Sequence, residues 1–250
     1  MTLNPREIAA MIDLSCVRTT SNKAEIEEMV DAARRYGFGH VSVLQCFIPY
    51  TRRLLQAAPG VALVGNVSFP SGSDSTTLKI AQAKEMLAAG CDEIDMVMNI
   101  GKLRSGELAE VETDARAVIE VVRPTPVKVI IELMVLTKEE IRQACDICVR
   151  SGAAFVKTGT GWAERGTTLE DVQLVKSLVR DQVKIKASGG IRSLDALLAM
   201  YEAGARRFGV NLTSGIQIVE QSVPRGDESR HGRVVERTQR VSDGKEDHLV

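Results

Sequence analysis

Short apolar runs alternate with longer amphipathic stretches along the chain, from its first residues to about position 220. Apolar runs of roughly four to eight residues are typical of buried strands, and longer stretches with one charged face are typical of helices. The alternation predicts repeated βα units around a parallel sheet. Eight strands are expected, approximately at residues 10–14, 40–44, 61–67, 93–98, 127–132, 155–158, 184–187 and 207–209.

The stretches between these strands have the ends that helices require. In SNKAEIEEMVDAARRYG, Ser21 or Asn22 can cap the first turn, and Gly37 follows the last turn. Glycines at positions 37, 90, 152 and 204 each close a predicted helix just before a strand. This repetition favours a (β/α)8 TIM barrel over an open doubly wound sheet, which remains the alternative from sequence alone.

One barrel accounts for most of the chain. Its 250 residues suit a single domain, and we expect the barrel over residues 1–220. From position 221 the pattern breaks, because residues 221–250 contain six basic and six acidic residues and no apolar stripe of helical period. This composition predicts a charged, solvated C-terminal tail.

The charge and hydropathy of the chain argue against nucleic acid and membranes as its binding partners. The chain has 32 Lys plus Arg against 33 Asp plus Glu, so its net charge of −1 provides no long-range field for nucleic acid or an anionic membrane. Its N-terminus lacks an apolar core behind a basic start, and no segment approaches the roughly 18 apolar residues of a membrane span. We expect a cytoplasmic protein whose partners are small molecules or further copies of the chain.

The cysteines and histidines indicate neither disulfides nor a metal site. The five cysteines are odd in number and scattered, as is typical of reduced cysteines. Cys145 and Cys148 form a CxxC inside a predicted helix, where this spacing places two small apolar side chains on one face. The three histidines lie far apart in sequence. We therefore expect neither a metal nor another cofactor.

Two lysines follow successive predicted strands. Active sites of such barrels lie at the C-terminal ends of the strands, so Lys157 and Lys186 are expected side by side in the barrel mouth. A lysine must be neutral to attack a carbonyl, and a pKa near 10.4 leaves on the order of one molecule in a thousand neutral at pH 7. A neighbouring ammonium and partial desolvation lower that pKa. The pair indicates a nucleophilic lysine, whereas either lysine alone is more typical of a surface or a carboxylate-paired residue.

Carboxylates accompany these lysines. Asp95 ends a predicted apolar strand, where an unpaired carboxylate is costly to bury, so the lysine pair is its expected partner. It is either a counter-ion only or a group that moves protons during imine and enamine formation. Asp13 lies at the end of the first strand, and Glu132, at the end of the fifth, adds a further charge nearby.

Two glycine-rich segments indicate an anion site. TGTG spans residues 158–161, and SGGIRS spans residues 188–193 before a helix that Ser193 can cap. Gly189 and Gly190 permit close approach of the backbone to a ligand, and the N-terminus of a helix attracts anions. Phosphates commonly bind after the seventh and eighth strands of such barrels. Paired glycines also occur in ordinary tight turns, which is the alternative interpretation.

The strings DEIDMVMNIG, KVIIE, GAAFVKTGTG and IKASGGIRSLDALLAMYEAGA resemble the deoxyribose-phosphate aldolase family, in that family's order. The resemblance implies a metal-free class I aldolase that reversibly cleaves 2-deoxy-D-ribose 5-phosphate to glyceraldehyde 3-phosphate and acetaldehyde. It also implies that Lys157 is the Schiff-base lysine, that Lys186 lowers its pKa, and that Asp95 transfers protons. Asp13 matches the family's aspartate on strand one and would help to hold the lysine network.

The departures from the family cluster where the distal part of the substrate is expected. The family's IDHTLL is here IDLSCV at residues 12–17, and Trp162 follows TGTG. The family's GTSS or GASS after strand eight is here GVNL at residues 209–212, and no tyrosine follows Tyr201, although some members use a C-terminal tyrosine in proton transfer. Substrate and phosphate binding are expected at Thr158, Thr160, Gly161, Gly189, Gly190, Asn211 and Ser214.

Three functions remain in competition at this point. The leading hypothesis is cleavage of deoxyribose 5-phosphate through an imine on Lys157, with an aldehyde and a sugar phosphate as ligands. The second is the same imine chemistry on a different, unphosphorylated aldehyde or ketone, because the loop after strand eight is altered. The third is a binding or regulatory protein that has lost turnover, against which the presence of both lysines and Asp95 argues. A homo-oligomer is expected because small barrels of this type often dimerise.

Overall fold

Eight parallel strands close into a barrel in chain order in the computed structural model, which describes residues 3–223. Each strand pairs with its neighbours in sequence, and the first pairs with the eighth to complete the ring. The strands are β1 (Ile12–Cys16), β2 (His40–Val43), β3 (Ala62–Val67), β4 (Glu93–Val97), β5 (Val127–Ile130), β6 (Phe155–Lys157), β7 (Lys184–Ser188) and β8 (Ala205–Val210). The (β/α)8 prediction is confirmed, and the open sheet is excluded.

Helices connect the strands on the outside of the barrel. Within the described residues they are α1 (Pro5–Ala10), α2 (Lys23–Tyr36), α3 (Ile48–Leu54), α4 (Thr76–Ala88), α5 (Ile100–Arg104), α6 (Leu108–Val121), α7 (Lys138–Ser151), α8 (Leu169–Val179), α9 (Leu194–Glu202) and α10 (Leu212–Gln221). Over residues 3–223, none of the helices is long and apolar enough to cross a membrane.

The first strand begins later than the sequence pattern predicted. Residues 10 and 11 were expected in a strand, but Pro5–Ala10 form α1. The Asn4 side chain accepts hydrogen bonds from the backbone N–H groups of Arg6 and Glu7, and the Glu7 side chain accepts one from the Asn4 backbone N–H. This reciprocal capping, with a proline at the first helical position, stabilises a helix of only six residues. The eighth strand is longer than predicted at both ends.

The predicted helix ends agree with the structure at specific residues. Asn22, rather than Ser21, caps α2 by accepting a bond from the Glu25 N–H, and Gly37 ends that helix with a left-handed φ of 78°. Both Cys145 and Cys148 are buried on α7, as expected of a structural CxxC. The predicted tail lies outside the described residues from position 224 onward.

Alternation along the strands divides the core into two parts. On β1 and β4, the apolar residues Ile12, Leu14, Ile94 and Met96 are buried on the face that packs against the helices. The alternate residues point into the barrel. Five charged residues on the inner face are each 5% exposed or less, counted over the whole residue: Asp13, Asp95, Lys128, Lys157 and Lys186. Charged side chains are rarely buried unless they are paired, so the interior of this barrel is a candidate functional site.

Candidate active site

Asp95 is the centre of a charge cluster inside the barrel. It lies in the middle of β4, not at its end as the sequence suggested. Its Oδ1 accepts a hydrogen bond from Lys128 Nζ at 2.9 Å. Its Oδ2 accepts from Lys157 Nζ at 2.7 Å and from Lys186 Nζ at 2.9 Å. Three ammonium groups from three consecutive strands therefore meet on one carboxylate.

Asp13 anchors the other side of the cluster from the second position of β1, not from its end as the sequence suggested. Its Oδ2 accepts a hydrogen bond from Lys186 Nζ, and its Oδ1 accepts one from Arg207 Nη1 at 2.9 Å. Burial raises the pKa of Asp13, but the charges of Lys186, Lys128, His40 and Arg207 outweigh burial and lower it to about 2. The carboxylate of Asp13 is thus ionised, and Lys186 lies between two anions.

A lower layer of charge supports this cluster, and the sequence reasoning missed it. Lys128 Nζ lies 2.6 Å from Glu93 Oε2, and Arg207 Nη1 lies 3.2 Å from the same oxygen. His40 Nε2 lies 3.5 Å from Glu93 Oε1. A signal was available, because Glu93 and Asp95 alternate along one strand and Lys128 lies within the apolar run at residues 127–131 of the next strand. Period-two alternation places such residues on the inner face.

Lys157 and Lys186 are register partners on β6 and β7, as the prediction of a lysine pair required. The Lys157 side chain is 7% exposed. Burial is the largest cause that lowers the pKa of Lys157, and the Lys186 and Lys128 ammonium groups lower it further against the opposing charge of Asp95, to about 8. The lowered pKa therefore comes more from burial than from the second lysine.

Asp95 has the opposite electrostatic character. Burial raises the pKa of Asp95, but the charges of Lys128, Lys157 and Lys186 outweigh burial and hold that pKa well below its usual range. The carboxylate is consequently an anion at neutral pH. Such a group accepts hydrogen bonds but holds no proton to donate at neutral pH.

A cavity of about 230 Å³ opens at the C-terminal ends of β1, β6, β7 and β8. It is lined by Ser15, Val17, Arg18, Thr160, Gly161, Trp162, Ser188, Gly189, Gly190, Ile191, Arg192, Gly209, Val210, Asn211 and Ser214. The structure thus brings together six of the seven predicted binding residues. A larger cavity of about 540 Å³ lies outside the barrel, where Asp74, Asn99 and Asp114 line it, and it contains none of the predicted site residues.

Thr158 is the predicted binding residue that does not line the cavity. Its hydroxyl lies 2.7 Å from the Thr167 hydroxyl and accepts a hydrogen bond from the Ser188 N–H at 2.9 Å. The side chain is fully buried. Its observed contacts fasten the end of β6 to the end of β7.

Glu132 fixes the shape of the TGTG loop. Its Oε1 accepts a hydrogen bond from the Thr160 N–H at 3.2 Å, and its Oε2 accepts one from the Thr160 hydroxyl at 2.5 Å. Glu132 itself has a φ of 47°, a backbone conformation that is strained for a side chain of this type. The observed strain at this position is compensated by the two bonds that position the loop beside the cavity.

Two glycines beside the cavity allow neighbouring groups to pack closely against their backbones. Gly190 has a φ of 78°, and a Cβ there would lie 3.0 Å from Gly166 Cα. A Cβ on Gly209 would lie 2.5 Å from Ser188 Oγ and 3.4 Å from Lys186 Cε. Both positions therefore need a residue without a side chain.

The altered loop after β8 still leads into a helix N-terminus. Asn211 caps α10, and its Oδ1 accepts a hydrogen bond from the Ser214 N–H at 2.8 Å. The first N–H groups of a helix lack partners within the helix and carry partial positive charge. Asn211 and Ser214 thus place the positive end of α10 at the cavity, beside the Gly189–Gly190 turn.

Comparison with known proteins agrees with this geometry. A family model described as DeoC/LacD family aldolase matches residues 8–218. The deoxyribose-phosphate aldolase of Sinorhizobium medicae is 45% identical over 219 residues, which are 88% of each chain. The solved structure of QR15, an aldolase, has a TM-score of 0.80 and 36% identity, and the match covers 86% of this chain and 95% of that one.

A further solved structure, the tetrameric deoxyribose phosphate aldolase of Aeropyrum pernix, has a TM-score of 0.80 and 26% identity, and the match covers 87% of this chain and 91% of that one. Barrel topology, the buried lysine cluster and matches over most of the chain therefore lead to the same assignment. The chain is an aldolase and belongs to the DeoC/LacD family.

Proposed function

We propose that the chain reversibly cleaves 2-deoxy-D-ribose 5-phosphate to glyceraldehyde 3-phosphate and acetaldehyde through a Schiff base on Lys157. The observation that carries this proposal is a buried lysine whose pKa is lowered to about 8 and whose ammonium bonds to an ionised Asp95. At pH 7 such a pKa leaves roughly one molecule in ten neutral, about two orders of magnitude more than an ordinary lysine.

The reaction begins with the neutral Lys157 amine. Its nitrogen attacks C1 of the open-chain sugar, and loss of water from the carbinolamine gives a protonated imine. A proton then leaves the C3 hydroxyl, the C2–C3 bond breaks, and its electron pair moves into the imine to form an enamine. Glyceraldehyde 3-phosphate departs. Protonation of the enamine at C2 and hydrolysis of the imine release acetaldehyde and restore the lysine.

Asp95 and Lys186 supply proton transfer in this scheme. Asp95 touches both lysines through one oxygen, so a proton released at one lysine can reach the other through that oxygen. Asp95 is ionised at rest, so it holds no proton to donate as an acid and carries one only while it passes from one lysine to the other. Asp13 holds Lys186 in reach of the relay through its own hydrogen bond.

The cavity supports a phosphorylated substrate. The Gly189–Gly190 turn and the N-terminus of α10 both line the cavity, and such elements commonly bind small anions through backbone N–H groups. Arg18 and Arg192 line the same cavity, and its lining within the described residues includes no aspartate or glutamate. A phosphate on the distal end of the sugar would be favoured there by charge as well as by hydrogen bonds.

Trapping tests the imine chemistry directly. Reduction with borohydride in the presence of acetaldehyde should replace one hydrogen of the Lys157 amine with an ethyl group, which adds the mass of C2H4 to the peptide that contains Lys157. Cleavage of deoxyribose 5-phosphate should then be much faster than cleavage of unphosphorylated deoxyribose at equal concentration. Absence of any adduct would contradict the Schiff-base mechanism, whereas equal rates with an adduct would contradict only the phosphorylated substrate.

One observation favours the second candidate, the same chemistry on an unphosphorylated aldehyde or ketone. The Ser214 N–H, which lies in the first turn of α10, is already bonded to Asn211 Oδ1. One donor of the helix N-terminus is therefore not free for an anion. Under this candidate, deoxyribose or a simple aldehyde pair is turned over as well as the phosphorylated sugar.

We further propose that the chain forms a homo-oligomer in the cytoplasm. The Aeropyrum pernix relative is described as tetrameric, which supports self-association. The five cysteines are all free, and this agrees with a reducing compartment. Sedimentation equilibrium tests the assembly, and a mass equal to that of one chain at micromolar concentration would contradict it.

A further inference from the structure

Arg18 stands at the rim of the cavity, just beyond β1. Its Nη2 donates a hydrogen bond to the Gly161 carbonyl at 2.9 Å. Its guanidinium carbon lies 5.6 Å from the centre of the Trp162 ring, which in turn packs edge-on against Phe69 at 6.0 Å. A cation over an indole face is attracted to it, so the guanidinium is held in place without a counter-charge.

No ion pair neutralises the charge of Arg18 within the described part of the chain. Over residues 3–223, no carboxylate lies within 4.0 Å of its guanidinium nitrogens. Its hydrogen bond to Gly161 goes to a neutral carbonyl and uses one of the five N–H donors of the guanidinium. The remaining donors have the planar fork geometry that suits two oxygens of a phosphate.

The guanidinium also lies close to the backbone groups that we assign to the phosphate. Arg18, Gly161, Gly189 and Gly190 line the same cavity. A Cβ on Gly189 would lie 3.5 Å from Gly161 Cα, so the backbones of these two glycines are in near contact. Because Arg18 is bonded to the Gly161 carbonyl, only one residue separates its guanidinium from the Gly189–Gly190 turn.

We propose that Arg18 is a specificity-determining residue whose guanidinium binds the terminal phosphate monoester of the substrate from the β1 side of the mouth. This inference rests on the proposed function. In this proposal, Trp162 and the Gly161 carbonyl orient the guanidinium, while the Gly189–Gly190 turn and α10 hold the same phosphate from the neighbouring ends of β7 and β8. The side-chain contacts of Arg18 are with Gly161 and Trp162, and not with Lys157 or Asp95, so in this proposal Arg18 selects the substrate and takes no part in bond cleavage.

The test compares substrates with and without the phosphate. In Arg18→Met, the ratio of kcat/KM for deoxyribose 5-phosphate to that for deoxyribose should fall roughly tenfold to a hundredfold, because a charge-assisted bond is lost. Most of this change should lie in KM. Arg18→Lys keeps the charge but not the forked geometry of the guanidinium, so its ratio should lie between those of the wild type and Arg18→Met. Arg34→Met, on the outer surface of α2, removes a charge outside the cavity and is the matched control.

The outcomes separate the two proposals. A wild-type enzyme that shows no preference for the phosphorylated sugar contradicts the proposed substrate before any variant is made. A wild-type preference that survives in Arg18→Met contradicts the role of Arg18 alone. An equal loss of kcat/KM on both substrates also contradicts it, since Arg18 would then act only by holding the Gly161 loop. Borohydride trapping of acetaldehyde verifies that the variant retains a folded lysine site.

Discussion

Lys128 and Lys157 lie one strand apart in the barrel, and both bury an ammonium group against Asp95. Their pKa values nevertheless move in opposite directions. Burial lowers the pKa of Lys157, with help from two neighbouring ammonium groups, to about 8. Burial opposes the charged form of Lys128 too, but Asp95, Asp13 and Glu93 outweigh it and raise that pKa to about 12.

The difference lies in the number of carboxylates that each ammonium faces. Lys128 lies between Asp95 at 2.9 Å and Glu93 at 2.6 Å, whereas Lys157 has Asp95 alone and Lys186 beside it. Lys128 is therefore a permanent cation, whereas the Lys157 ammonium can lose its proton. Burial lowers the pKa of a lysine enough to leave a neutral amine only where nearby carboxylates do not outweigh it.

The largest effect is expected for Lys157→Ala. The variant removes the only amine assigned to imine formation, so kcat should fall on the order of 10⁴-fold and trapping of acetaldehyde should disappear. Peptide mass spectrometry after borohydride reduction measures this. An adduct on Lys128 in this variant would contradict the claim that Lys128 stays charged and that only Lys157 forms the imine.

Lys128→Met should mainly affect stability. Removal of this ammonium leaves Glu93 and Asp95 buried with one partner fewer, and breaking a buried pair costs about 3–5 kcal/mol. Urea denaturation measures the loss in free energy of unfolding. Activity of the folded variant at pH 7 should also fall, because the Lys128 ammonium helps to lower the pKa of Lys157.

Lys79→Met provides the matched control for this experiment. Lys79 is fully buried and lies 2.6 Å from Asp114, but on α4, outside the charge cluster. The control should lose stability to a similar degree while the folded protein keeps its kcat. Equal losses of kcat in the two variants would show that Lys128 acts only through general stability.

The smallest expected effect concerns pH. Lys157 must be neutral to react. Below its pKa of about 8, kcat/KM should therefore rise roughly tenfold per pH unit, and above that pKa it should level off. The Lys186 ammonium lowers the pKa of Lys157, and its removal in Lys186→Leu should therefore move the bend in the profile to higher pH. Trapping at pH 7 should slow in proportion to the smaller neutral fraction of Lys157 and recover in alkali. A bend that stays in place would show that the Lys186 charge does not help to set this pKa.

Much of the fold could be predicted because strand and helix patterns repeat. A strand such as β3, with the sequence ALVGNV, is a short and mostly apolar run. Gly37 and Gly152 end helices in the left-handed conformation that favours glycine. The error at β1 came from α1, since six residues are too few for a helical period to stand out. That helix could have been recognised from its capping residues Asn4, Pro5 and Glu7 instead.

The site could be predicted only in part. Lys157 and Lys186 were recognisable by their places before glycine-rich loops. Lys157 ends β6 as predicted, whereas Lys186 lies in the middle of β7 and not at its end. Lys128, Glu93 and Arg207 were missed because a charge within a strand can face either side, and only strand register brings them together. Arg18 was missed as well, since its importance depends on contacts with Gly161 and Trp162, more than a hundred residues away.

The bare backbone of Gly209 sets a limit on how far this enzyme can be redesigned. Even the methyl group of alanine would collide with the Ser188 hydroxyl and crowd the stem of Lys186. In a library that randomises the residues around the cavity, position 209 should return glycine almost exclusively among active clones. Residues such as Arg18 and Trp162, whose side chains line the open rim of the cavity, should accept many replacements and carry the diversity of new substrate preferences.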